Sequence, residues 1–192
     1  LVTGELNPGS RARDWLRREI SDIKDDDIQR VTISHPDGEV LVVSKKDPGQ
    51  SNYDVEDIPV DMELRRDTIA NDTGRVLSNL LLDDVRKAAS DDFPETDTIS
   101  AVFEGFEGFS VRVDLVEDGD TNWVRFRGDA SSIKQGVYDD DGTPDESKEW
   151  ATIIDELNSR SGGWVFQLPG YEVSGIKKRM EDMVREPEGD GV

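Results

Sequence analysis

The chain has 192 residues, no cysteine and a formal charge of −21, from 44 acidic and 23 basic side chains. Disulfides, thiolate metal sites and cysteine nucleophiles are therefore excluded, and a field of this sign repels phosphate backbones, so nucleic acid is not an expected partner. Hydrophobic residues, at 34%, are few but gathered in periodic runs, unlike a disordered chain, and none approaches the roughly 18 apolar residues that span a bilayer.

Residues 1–9, "LVTGELNPG", read as a strand end and a turn. In "SRARDWLRREISDI" the residues Trp15, Leu16, Ile20 and Ile23 share one helical face, and Ser10 is placed to cap it, so a connector helix is expected. The chain opens on Leu1 with no signal-like segment and is expected to be a fragment or a processed product.

"RVTISHPDGEVLVVSKK" is the clearest hairpin. Val31 and Ile33 alternate with polar residues, Val40 to Val43 return, and His35-Pro36-Asp37-Gly38 has the chemistry of a tight turn. A short third strand is expected at Tyr53 to Asp57. Over residues 67–82 the apolar side chains Ile69, Val76, Leu77, Leu80 and Leu81, with Thr73, fall at helical spacing, and "DDVRKAA" is placed to return to a sheet.

The pattern then recurs. "TISAVFEGFEGFSVRVDLVEDGDTNWVRFRG" holds three strands joined by Gly-containing turns. Trp150, Ile153, Ile154 and Leu157 form a helical stripe, and "GGWVFQLP" is the returning strand. The expected fold is α+β, with antiparallel sheets and helices packed on one face, built from two related β-β-β-α-β units over 28–89 and 98–169.

Sites of chemistry are sparse. His35, the single histidine, sits where a strand enters a turn and is expected to be exposed; no G-x-S-x-G elbow accompanies it. The acidic clusters "KDDDIQ", "EDGDTN" and "DDDGTPDE" suggest calcium, but an EF-hand needs Gly at its sixth position. Anchoring on Gly142 puts Val137 first, and anchoring on Asp118 puts Trp123 sixth, so both fail; a looser cation site at Asp139 to Asp141 stays open. "GFEGF" at 105–109 lacks the spacing of a dinucleotide loop, and no P-loop occurs. With 44 acidic residues, carboxylate pairs at glycosidase separation arise by chance and discriminate nothing.

The closing stretch "GGWVFQLPGYEVSGIKKRMEDMV" holds an aromatic run followed by a basic triplet. Trp164, Phe166 and Leu168 alternate as one strand face and are expected to be mostly buried; Val173, Ile176, Met180 and Met183 line one side of a helix. Tyr171, Lys177, Lys178 and Arg179 lie off that stripe and are the candidate partner-contact surface. No residue is singled out as catalytic, metal-binding or cofactor-binding, and no cofactor is expected.

"DWLRREISDIKDDDIQRVTISHPDGEVLVVSK", "LLLDDVRKA" and "ELNSRSGGWVFQLPGYEVSGIKKRMEDMV" together resemble the family named domain of unknown function 4340. That resemblance implies a bacterial protein anchored in a membrane, with repeated β-rich units outside the cytoplasm. Residues 1–27 would be the tail of a preceding unit and a connector helix, 28–89 a first unit, and 98–186 a second unit with a C-terminal helix. It further implies a non-enzymatic accessory role beside ABC-type transporters, on the periplasmic side, with transporter subunits as partners and membrane contact only through an anchor that this chain lacks. The competing expectation is a carboxylate-using enzyme or a ligand- or cation-binding domain, which predicts converging acids in a concave pocket.

Overall fold

A computed structural model describes residues 19–133 and 150–187. β2 (Ile28–Ser34) and β3 (Val40–Ser44) form the expected hairpin around the turn at residues 35–38. Their register sets Val31 against Val43 and Ile33 against Leu41, so the four apolar side chains share one face, and all are fully buried. β4 (Asp54–Val55) extends the sheet beyond β3. On the other side β2 meets β8 (Ile99–Gly105), which leads through β9 (Ser110–Asp118) and β10 (Thr121–Asp129) to β11 (Trp164–Leu168). β7 (Asp84–Lys87) closes the far edge beyond β11.

The result is one eight-stranded antiparallel sheet in the order β4-β3-β2-β8-β9-β10-β11-β7. The three strands of each hairpin-rich run stay adjacent, while "DDVRKAA" supplies its strand at the opposite end of the sheet from β2. Two small ribbons flank it: β1 (Glu19–Ser21) with β6 (Leu80–Leu81), and β12 (Val184–Arg185) with β5 (Glu63–Leu64).

Alternation decides the faces. Val31, Ala101, Phe103, Val111, Val113, Leu115, Val124 and Phe126 point one way and are buried. On that face lies α2 (Trp150–Ser161), with Trp150, Ile154 and Leu157 turned inward and the Trp150 ring stacked 4.1 Å from Phe109. α1 (Asn71–Gly74) and the C-terminal turns pack on the same side, so the fold is α+β with its helices on one face. The opposite face carries Arg30, Arg112, Asp114, Trp123 and Arg125, and the chain after β7 folds back over part of it: Asp92 pairs with Arg86 at 2.7 Å, and Arg125 lies 4.5 Å from the Phe93 ring.

Several local expectations change. Residues 10–18 lie outside the described residues, but the connector helix does not extend over Glu19–Ser21, which is strand; Ile20 and Ile23 are buried as their apolar character requires. Over 67–82 only Asn71–Gly74 is helical. Ile69, Thr73, Val76, Leu77 and Leu80 are buried all the same, because consecutive turns also deliver a side chain inward every three or four residues. Tertiary contacts override the helix: the Asn71 side chain accepts the Tyr53 N–H at 3.1 Å, and the Tyr53 ring occupies the space beside Gly74.

The C-terminal helix is likewise broken. α3 (Gly170–Val173) runs into a 3₁₀ turn (Ser174–Lys177), and α4 (Met180–Met183) starts anew after extended backbone at Lys178 and Arg179. Val173, Ile176 and Met183 are buried nonetheless. Gly175 fixes how closely this strap approaches α1: a Cβ there would sit 2.5 Å from the Asp72 carbonyl oxygen, while Thr73 Oγ1 donates to the Gly175 carbonyl at 3.0 Å. Backbone cannot yield as a flexible side chain would. Gly175→Ala is expected to lower the unfolding free energy by about 1–3 kcal/mol, read as a lower urea midpoint with an unchanged slope.

Candidate functional site

His35 is buried, 5% exposed, rather than solvated. The hairpin tip lies beneath the C-terminal strap, and the His35 Nε2–H donates to the Lys178 carbonyl at 3.0 Å. Its Nδ1 is buried with no hydrogen-bond partner among the described residues. Arg179 pairs with Asp37 at 2.8 Å and with Glu39, whose carboxylate also accepts the Met180 N–H at 2.8 Å. That backbone donor, and then Arg179, hold Glu39 below the usual carboxylate range against the desolvation that raises it.

These contacts engage much of the basic triplet. Lys177 donates to Glu117 and to Asn122 Oδ1 at 2.5 Å, and Arg179 is committed to the hairpin tip. Lys178 lends its carbonyl to His35. Tyr171 stands apart, 71% exposed. The triplet thus clamps the strap to the sheet, a role that the periodicity of residues 173–183 did not disclose because the partners lie 55 to 143 residues away in sequence.

The first acidic cluster is similarly engaged. Lys45, whose side chain is wholly buried, reaches Asp26 Oδ1 at 3.3 Å and the Asp25 carbonyl at 3.2 Å, and Arg75 reaches Asp25 at 3.4 Å. "EDGDTN" is the β9–β10 turn, where Thr121 Oγ1 donates to the Asp118 carbonyl. Asp139 to Asp141 lie outside the described residues. Among the described residues, no group of three or more His, Asp or Glu side chains is placed to hold a metal ion.

Among the described residues, one depression of about 350 Å³ lies beside Gln50, Asn52 and Asp67, and two others bear more directly on contacts. The larger, about 630 Å³, lies at the end of the sheet beside Arg30, Lys45, Lys46, Glu104 and Phe106. Its cations are already matched: Arg30 grips Glu56 through both terminal guanidinium nitrogens at 2.6 and 2.8 Å, Lys45 holds the 25–26 carboxylates, and Lys46 faces Asp54 at 3.5 Å. The smaller, about 320 Å³, is an apolar groove beside the β7–β11 edge. Ile20, Leu82, Val85 and Phe166 line it, and Trp164 forms its open wall, with Glu19 and Arg160 at the rim.

Trp164 departs from expectation: Phe166 and Leu168 are buried, but Trp164 is 39% exposed. It is the first residue of β11, immediately after the Gly162-Gly163 turn, so the sheet gives it a neighbour on β7 but α2 has already ended. The sequence does mark a tryptophan next to a diglycine, yet nothing in the local pattern brings Ile20 and Leu82 to it. A scan against protein-family models finds none that matches the chain, and neither the curated proteins nor the solved structures yield a match.

Proposed function

We propose that the chain is a non-enzymatic module that works through protein contacts, of the extracytoplasmic accessory kind implied by its resemblance, with subunits of an ABC-type membrane transport system as partners. One observation carries the reading: a large aromatic side chain left two-fifths exposed over a groove otherwise made of aliphatic and aromatic carbon. Soluble surfaces seldom leave such carbon together, and buried aromatic anchors dominate the energetics of protein interfaces. The polar depression supports chemistry less well, since its charges already neutralise one another within the fold.

The test is site-specific photocrosslinking in native membranes. A photoreactive aromatic residue in place of Trp164 is expected to capture a transporter subunit, whereas the same group in place of Val40, exposed at the opposite end of the sheet, is not. Equal capture from both positions, or from neither, would overturn the reading. Trp164→Glu is expected to abolish the partner contact while shifting stability by no more than about 1 kcal/mol, checked by thermal unfolding of the same sample.

A further inference from the structure

Resting on that reading, we propose that the Trp164 groove receives a basic amphipathic segment of the partner, presenting one or two large apolar side chains between lysines or arginines. Two features of the edge select this mode. A partner strand is disfavoured: the Val85 N–H is taken by Asp84 Oδ1 at 2.8 Å, and the Lys87 carbonyl accepts from Arg86 Nη1 at 3.3 Å. With two of the four outward backbone groups of Val85 and Lys87 taken by neighbouring side chains, the edge offers an added strand a shortened ladder. The partner therefore enters with side chains, and a groove of about 320 Å³ has room for one or two of them.

Charge selects the flanks. The groove lining is apolar; Arg160 at its rim is matched by Glu156 at 2.7 Å one turn earlier on α2, and Lys87 stands opposite Trp164 on β7. What the approaching segment meets beyond the groove is a chain of net charge −21. The long-range field of such a chain repels acidic flanks, whereas basic flanks gain in encounter rate.

The experiment titrates the 192-residue chain with three labelled helical peptides that share one backbone pattern: leucine anchors with lysine flanks, leucine anchors with glutamate flanks, and alanine anchors with lysine flanks. The first is expected to bind at least about tenfold more tightly than either of the others, and to lose about tenfold on Trp164→Glu. Val85→Glu, on the opposite wall, is expected to act in the same direction. Equal binding of the glutamate-flanked peptide would overturn the basic partner while leaving a contact site at Trp164. Equal binding of the alanine-anchored peptide, or indifference to both substitutions, would show attraction to the acidic surface alone and overturn the groove as the receptor. If no peptide binds, the basic class is rejected, and the photocrosslinking result decides separately whether Trp164 meets a partner at all.

Discussion

Truncation of Tyr53 to alanine is expected to lower the unfolding free energy by about 3–5 kcal/mol, the range for removing a buried ring. Tyr53 is 1% exposed and joins four parts of the chain. Its hydroxyl lies 2.9 Å from both the Asp25 and the Ile28 carbonyls and donates between them, which closes the acidic loop before β2. Its backbone N–H holds Asn71, its ring fills the space over Gly74, and Lys45 Nζ sits 4.7 Å from the ring centroid. Burial, followed by the charges of Asp25 and Asp26, raises the phenol above its ordinary range, so the hydroxyl is a donor at neutral pH.

A paired substitution separates ring from hydroxyl. Tyr53→Phe leaves the packing in place and removes the donor. Because the Asp25 carbonyl is also within reach of Lys45, the Ile28 carbonyl is the group that loses its side-chain partner. The expected loss is about 1 kcal/mol, well short of the alanine variant. Urea unfolding of both variants measures the difference. Equal losses would mean that the hydroxyl, not the ring, organises this corner of the core.

The strands were legible in the sequence to the extent that period-two alternation and turn chemistry coincide. At 28–44 and 99–129 they do, and Gly38, with φ of 92°, sits where the Asp-Gly step places it. Residues 67–82 misled because helix and serial turns both bury every third or fourth residue, and the choice was made by Tyr53 and Gly175 from outside the segment. The strap at 170–185 kept its buried stripe but not its helix, since Lys178 and Arg179 are drawn into extended geometry by His35, Asp37 and Glu39. His35 departs from expectation for the same reason: a hairpin tip is exposed unless something distant lies on it, and here Lys178 does. The groove was the least legible feature. Its walls come from residues 19–20, 82–85, 160 and 164–166, brought together only when β7 crosses to the far edge of the sheet.

That sheet also carries a cross-strand charge row whose removal is the second large effect. Ser100, Asp114 and Arg125 stand directly opposite one another on β8, β9 and β10, on the face away from the core. The Asp114 side chain is only 5% exposed and accepts from Ser100 Oγ at 2.7 Å and from the Nε of both Arg112 and Arg125 at 2.8 Å. Desolvation pushes its carboxyl up, but the hydrogen bonds from Ser100, Arg125 and Arg112 together outweigh that and hold it below the usual carboxylate range.

Asp114→Ala leaves two guanidinium groups beside each other without their counterion. Both are more than two-fifths exposed, so water recovers part of the loss, and the expected cost is about 3 kcal/mol, the lower end for breaking a buried ion pair. A folded-state value below the unfolded one means that the stabilisation is fully present above the unfolded pKa of about 3.9 and is lost as pH falls through the folded value. The gap between wild type and Asp114→Ala should therefore be widest at neutral pH and narrow steadily on acidification below about pH 4. Urea unfolding across that range reads it directly. A gap that persists undiminished in acid would assign the loss to packing rather than charge, and would mean that Asp114 does not act as the counterion of Arg112 and Arg125.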